Sequence, residues 1–341
     1  MKSVVIFGGT GFIGVFTTKY ILENNLFDRV YLYDIESISD KNSMFRSKFF
    51  ENDIRVKFIR GDVRKKILFE KNDDTEKIEL IINLAAIHRE PGHKYEEYFD
   101  TNIPGAKNIC NFADEIKCNK IIFTSSISPY GPTEELVDEF SLPNPNSAYG
   151  KSKLQAEEIH KSWCSYQYQK KLLILRPGVV FGPGESGNVT RLIKSVINHY
   201  FVYFGNKEII KSGIYVKELI NAMFWCLKIV TESEKNELTA NMSMHPSPKV
   251  IDYVNACCKT KKISRFIPNV PFRIIFFASK IIEGFCNILK IQNHFSPVRV
   301  MKLIKSNNIR PSFLIKNNYN YIFTLEEAFR DWYEEYPNDW R

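Results

Sequence analysis

The chain reads as an α/β protein: a doubly wound parallel sheet followed by a smaller, mostly helical lobe toward the C-terminus. Three observations predict this. Short apolar β-type runs (Val4 to Phe7, VYLYD ending at Asp34, Val56 to Ile59, Leu80 to Leu84, Lys120 to Ser125, Leu172 to Leu175) alternate with helical segments, the order of a parallel sheet covered on both faces. The first run opens directly into a glycine-rich turn, with Gly8, Gly11 and Gly14 each three apart. The alternation stops at RPGVVFGPGESGN, where Pro and Gly cluster. That break divides the chain into a first unit over 1–182, to which 214–245 returns, and a second made of 183–213 and 246–341.

The glycine turn is built to hold a phosphate. Glycines let the backbone approach an anion closely, and the helix that starts near Phe12 points its unpaired N–H groups and positive dipole end at it. A helical stretch from Val15 to Asn25 leads into the second strand, whose last residue, Asp34, lies twenty residues beyond Gly14. An acid there accepts hydrogen bonds from both hydroxyls of an adenosine ribose and repels a 2′-phosphate. With Thr10 in the loop, Ile35 after the acid and no Arg or Lys nearby in sequence, the site reads as one for NAD rather than NADP. His88, with Arg89 beside it, follows the fourth apolar run and is placed to approach the ribose or pyrophosphate.

Composition fits a cytoplasmic enzyme. The 341 residues are 44% hydrophobic and 25% charged, enough for one large core or two unequal lobes. The net charge of +8 comes with no run of five or more Lys and Arg, which argues against nucleic acid and suits an anionic substrate. Seven cysteines lack metal or disulfide-framework spacing, and the remaining five histidines (His93, His160, His199, His245, His294) are scattered, so no metal site is expected. The Lys2-plus-apolar start is broken by glycines too early for a signal peptide. Asp73-Asp74 and Glu134-Glu135 read as solvated loops.

Chemistry is signalled mid-chain. SAYGKSKLQAEEIH starts a helix that sets Tyr149 and Lys153 one turn apart on one face, where an ammonium stabilises a phenolate and lets it exchange protons well below its ordinary pKa of about 10. IIFTSSISPYG leaves a strand carrying Ser126, whose hydroxyl is able to share a hydrogen bond with a substrate oxygen.

Together these residues resemble the extended short-chain dehydrogenases/reductases, and within them the NAD-dependent epimerase/dehydratase group, over nearly the whole chain. The resemblance implies a Rossmann-type domain in which GGTGFIG, including Phe12 and Ile13, is the cofactor loop, Asp62 and Val63 lie beside the adenine, Leu84, Ala85 and Ala86 line the cofactor, Asn102 supports the site, and Pro177 flanks the nicotinamide carboxamide. It implies that Ser126 polarises the reacting oxygen, Tyr149 exchanges its proton, and Lys153 holds the nicotinamide ribose. Where family dehydratases follow the active-site hydroxyl residue with an Asp-Glu pair, this chain has Ile127 and Ser128, which argues against dehydration. The same resemblance implies that Ser128, Asn188, Arg191, Lys211 and Arg299 fall on the nucleotide-sugar half of the site. Lys211 replaces an arginine that often grips the diphosphate, and Val179 replaces an asparagine that often binds substrate.

The expected activity is epimerisation at C4 of a nucleotide-activated sugar through a transient 4-keto sugar, for surface polysaccharide synthesis. The alternatives are a dehydrogenase or reductase acting on a sugar nucleotide or hydroxysteroid-like substrate, or a non-catalytic NAD sensor. Relatives pair as homodimers through helices corresponding to Tyr95–Ala113 and Ala148–Gln167. The segment PFRIIFFASKIIEGFCNILKIQ is too interrupted by charge to span a membrane; it forms a broad apolar helix face suited to internal packing, with weak membrane-surface contact as the other option. TLEEAFRDWYEEY ends the chain as a capped helix with Thr324 and Glu327 reciprocally bonded.

Overall fold

A computed structural model of the chain describes residues 1–37, 53–69, 77–88, 92–288 and 304–341. Seven strands form one parallel sheet: β1 (Lys2–Phe7), β2 (Arg29–Asp34), β3 (Val56–Arg60), β4 (Lys77–Asn83), β5 (Lys120–Thr124), β7 (Lys171–Pro177) and β11 (Glu237–Met242). Their order across the sheet is β11-β7-β5-β4-β1-β2-β3, so the direction of winding reverses between β1 and β4. In open α/β sheets that reversal leaves a crevice at the carboxyl ends of the strands, where ligands bind.

The strand sequences explain the burial. Val4, Ile6, Val30, Leu32, Leu80, Ile82, Leu173 and Leu175 point into one core, whereas Val5, Phe7, Tyr31, Tyr33, Ile81, Phe123, Leu172 and Ile174 point into the other. Alternate residues thus face opposite sides, and both sides are dry, which is why the runs read as continuously apolar. Helices α1 (Phe12–Glu23) and α5 (Val216–Glu232) contribute to the first core; α2 (Tyr95–Glu115) and α3 (Ala148–Ser165) pack on each other over the second.

The other described elements are β6 (Thr133–Val137), β8 (Val179–Phe181), α4 (Asn188–Ile197), β9 (Tyr203–Phe204), β10 (Gly213–Tyr215), α6 (Val250–Lys261), β12 (Asn269–Val270), α7 (Phe272–Ile288), β13 (Asn307–Ile309), α8 (Ser312–Lys316) and α9 (Leu325–Glu335). Glu134 and Glu135 prove to be exposed positions of β6, which pairs with β13, rather than loop residues; strand pairing over so long a separation leaves no local sequence pattern. Asp73-Asp74, Arg89, His294 and Arg299 lie outside the described residues.

The cap on α9 is as expected: Thr324 Oγ1 accepts the Glu327 N–H (3.3 Å) and the Thr324 N–H donates to Glu327 Oε2 (2.8 Å). Ala328, Phe329 and Trp332 are fully buried, while Leu325 and Tyr336 are only partly so. Asp339, just beyond, accepts from the Trp332 indole (2.9 Å) and the Gly184 N–H (2.7 Å), fastening the chain end to the loop after β8.

Candidate active site

At the carboxyl end of β1 the chain turns sharply into α1. Gly8 has φ +73°, and a Cβ there would stand 2.9 Å from the Ala85 nitrogen. A Cβ on Gly14 would stand 2.5 Å from the Gly9 carbonyl, so loop and helix touch backbone to backbone. Asp34 is held from the loop side: its Oδ2 accepts the Thr10 hydroxyl (2.7 Å) and N–H (3.3 Å). This ties the acid at the end of β2 to the mouth of the glycine turn, the arrangement an adenosine ribose and pyrophosphate require. The tight cradle, the open helix N-terminus and the anchored carboxylate fit a dinucleotide.

A basic residue stands near this acid in space, although none is near it in sequence. Arg60 is in register with Asp34 on the neighbouring strand, and its guanidinium donates to the Ile35 carbonyl at 3.2 Å. A one-dimensional window could not place β3 beside β2.

The segments that the resemblance sets beside the cofactor follow β3 and β4 in the chain. Asp62 is chelated by Arg64 (closest contact 2.6 Å), whose hydrogen bonds hold its carboxyl below the usual range. Val63 is buried, and its carbonyl accepts the Asn108 side chain (2.8 Å). Leu84, Ala85 and Ala86 are partly exposed past β4, and His88 is exposed beyond them. Buried Asn102 clamps this segment by exchanging hydrogen bonds with the Ile87 N–H (3.0 Å) and carbonyl (3.2 Å), and it donates to Ser152 on α3 (2.9 Å).

Opposite lies the chemical group. Ser126 is 9% exposed; its Oγ accepts the Ser128 N–H and donates to Ser128 Oγ, both at 3.1 Å. The Ile127 N–H donates to the Pro177 carbonyl (3.1 Å), joining this turn to the end of β7. The first turn of α3, capped by Ser147 on the Gly150 N–H (3.1 Å), lies directly on it: a Cβ at residue 150 would stand 2.5 Å from the Ser128 carbonyl. Tyr149 is thereby half-buried above the turn, its ring 6.2 Å from that of Tyr98. Lys153, 2% exposed, runs inward to donate to the Thr124 carbonyl at 2.7 Å, over the Phe123 ring at 4.2 Å. Burial pushes its pKa down to about 7, with Glu157 pulling the other way.

Sequence reasoning missed the scaffold beneath. Glu157, fully buried, accepts Ser125 Oγ (2.5 Å) and both Nε (2.9 Å) and Nη2 (2.6 Å) of Arg176. Arg176 continues to the Tyr130 hydroxyl (2.8 Å), which donates to Asn241 (2.9 Å). Burial works against the guanidinium charge, but the Glu157 carboxylate holds its pKa above the ordinary value. The available signals were a lone arginine in the strand LLILRP and a glutamate one turn past Lys153. Buried charges of this kind have to be paired.

His160, passed over as scattered, is also part of this floor. It stacks on Phe123 at 4.2 Å, its Nδ1–H donates to the Ala156 carbonyl (2.7 Å), and its Nε2 accepts from Asn83 (3.3 Å), whose oxygen accepts the Ala85 N–H (3.2 Å). Burial pushes its pKa down to about 4, so it stays neutral.

The expected substrate residues are more dispersed. Asn188 and Arg191 are exposed at the start of α4 and bonded to each other (2.8 Å). Lys211, half-buried on another segment, donates to the Lys305 carbonyl (2.6 Å), and burial pushes its pKa down to about 8.

Comparison with known proteins agrees with this geometry. A 4-epimerase of N-acetyl-α-D-glucosaminyl-diphospho-undecaprenol from Escherichia coli O157:H7 is 29% identical over 229 residues, 67% of this chain and 64% of that one. A bifunctional UDP-glucose and UDP-xylose 4-epimerase from Pisum sativum is 28% identical over 211 residues, 59% of each chain. The chain thus spans about three fifths of the length of these relatives. In fold, it is similar to the Bacillus cereus UDP-glucuronic acid 4-epimerase solved with NAD (TM-score 0.71, 21% identity, 98% of this chain and 96% of that one) and to the Thermotoga maritima UDP-glucose 4-epimerase (TM-score 0.71, 19% identity, 98% of each). The sequence pattern of the NAD dependent epimerase/dehydratase family matches residues 4–241, about seven tenths of the chain and the whole of the cradle and chemical group described above, and the chain belongs to that family.

Proposed function

We propose that the protein is an NAD-dependent 4-epimerase of a nucleotide-activated sugar, working in the cytoplasm in surface polysaccharide synthesis. The observation that carries this reading is the joint placement of Ser126, Tyr149 and Lys153 on elements that meet at one crevice, opposite the glycine cradle. Bound NAD supplies a reversible hydride acceptor for C4. Ser126 donates to the C4 oxygen, Tyr149 takes its proton as the alcohol becomes a ketone and returns it after the sugar turns over, and Lys153 keeps the phenol acidic enough to do so. Ile127 and Ser128 offer no carboxylate for eliminating water, which favours epimerisation over dehydration.

On the substrate side, Arg191 and Lys211 supply cations for the diphosphate; Lys211 acts there as a point charge without a guanidinium's fork. Asn188, Ser128 and Arg299 complete this half by resemblance. A lipid diphosphate in place of the nucleotide is the second reading, favoured by the E. coli relative, which acts on an undecaprenol-linked sugar. We also propose a homodimer through α2 and α3, supported by the 420 Å³ groove between them, lined by Cys110, Asp114, Ile159, Trp163 and Tyr166.

The test is to incubate purified protein and NAD with UDP- and GDP-linked hexoses and N-acetylhexosamines and with an undecaprenyl-diphospho-sugar, following 340 nm absorbance and analysing products by NMR. A C4 epimer without accumulating NADH is expected. Stoichiometric NADH would make the protein a dehydrogenase, and retention of NAD with no turnover on any substrate would make it a sensor.

A further inference from the structure

Over its described side chains, helix α7 is packed on one side. Ile275 (7% exposed) and Ser279 (0%) face inward, while Ile274 is 60%, Phe277 66% and Ile281 46% exposed. At helical spacing these three fall within an arc of about 60°, and the exposed cations Arg273 and Lys280 border that arc on one side. Lys280 reaches back over the Phe276 ring at 5.0 Å, which leaves the apolar stripe uncovered. The base of the helix is firmly set: β12 pairs with β9, and Arg265 donates to the carbonyls of Val196 (2.7 Å) and Phe201 (3.3 Å). That junction exposes two more aromatic side chains, Phe266 (87%) and Tyr200 (66%).

Charge selects the occupant. Residues 259–305 hold ten Lys and Arg and one acid, Glu283, so a chain of net charge +8 is close to neutral everywhere else. A second copy of the same face would bring Arg273 and Lys280 against their counterparts, which disfavours self-association. An anionic lipid surface satisfies both features, taking large apolar side chains at the acyl boundary and cations at the phosphates. No helix among the described residues is long and apolar enough to cross a membrane, so contact of α7 with a bilayer would run along its surface.

We infer that α7, with the junction at its base, docks the protein on an anionic bilayer, with Ile274, Phe277 and Ile281 entering the interface and Arg273 and Lys280 meeting the headgroups. This is independent of the proposed reaction. The test is co-sedimentation of the full chain with vesicles containing phosphatidylglycerol and with vesicles of phosphatidylcholine alone, at low and high salt. The expected result is binding to the anionic vesicles that weakens with salt and falls at least about tenfold in Arg273→Glu/Lys280→Glu. It should fall comparably in Ile274→Asp/Phe277→Asp, with melting midpoint and NADH binding unchanged in both variants. Absence of wild-type binding to anionic vesicles, or equal binding by wild type and the charge-reversed variant, would overturn the inference. Concentration-dependent self-association abolished by Ile274→Asp/Phe277→Asp, without vesicle binding, would overturn it in favour of a second copy.

Discussion

Lys153 places an ionisable amine where water has been removed, and that makes stability depend on pH. In the folded protein its pKa sits at about 7, against an ordinary value near 10.5, because burial penalises the ammonium. Above pH 7 the unfolded chain therefore binds a proton that the folded chain has released, so this residue makes stability rise with pH through that window. Between pH 7 and 8, where thiols of the unfolded chain are still mostly protonated, the urea midpoint of the cofactor-free protein should climb, and Lys153→Met should flatten the climb. His160 acts in the same direction lower down. With its pKa at about 4 rather than 6.5, its neutral form contributes stability that is lost as pH falls from 6.5 to 4, roughly 3 kcal/mol at 1.4 kcal/mol per unit. Replacing His160 with Gln should move the acid unfolding midpoint downward. In the proposed reaction, Tyr149→Phe removes the proton carrier and should lower kcat by about 10² to 10⁴, with KM for the sugar nearly unchanged. Ser126→Ala removes one donor to the reacting oxygen and should cost about 10² to 10³ in kcat, read in the same assay.

At the scale of elements, the glycine loop and α1 form a single backbone contact. In Gly14→Ala the new methyl would meet the Gly9 carbonyl at 2.5 Å, and backbone atoms cannot yield as a side-chain tip does. NADH affinity should fall about tenfold or more, as titration calorimetry would read, because the N–H groups of the loop no longer converge on one phosphate. This element was legible in the sequence, since a strand, a glycine turn and a helix are contiguous and their chemistry is local. Tyr149 and Lys153 were legible for the same reason, being one turn apart on one helix. What stayed hidden depends on contacts between distant segments. Arg60 reaches the end of β2 only through the β2–β3 pairing, Glu157 meets Arg176 only after β5 and β7 have paired, and His160 meets Asn83 across the second core. The same limit explains Glu134 and Glu135, whose strand exists only because residues 307–309 lie beside it.

For the molecule as a whole, the question is what keeps the crevice shaped when the C-terminal part of the chain is joined to the sheet by so few strands. Much of the answer lies in Glu139. Its carboxylate accepts the N–H groups of Asn241 (2.9 Å), Ser312 (3.0 Å) and Phe313 (3.2 Å), so one side chain links the segment after β6, the edge strand β11 and the start of α8. Asn241 extends this link through Tyr130 and Arg176 to Glu157, beside Lys153. Burial raises the Glu139 pKa, although the N–H groups it accepts favour the ionised form. Cutting the chain at its two ends should therefore have different effects. Glu157→Ala strands a buried guanidinium and should cost about 3 to 5 kcal/mol by urea unfolding, with much of the loss recovered in Glu157→Leu/Arg176→Met, where no charge remains to be paired. Glu139→Ala leaves only backbone N–H groups unsatisfied, at about 1 to 3 kcal/mol, and should loosen one region without unfolding the sheet. Amide exchange should accelerate at Asn241, Ser312 and Phe313 while the amides of β1 and β4 keep their protection. KM for the sugar should rise more than kcat falls, because the cradle and the Ser126 turn rest on the sheet, whereas Lys211, the proposed diphosphate contact, is held by the Lys305 carbonyl and by its bridge to Asn307 of β13, the strand beside β6.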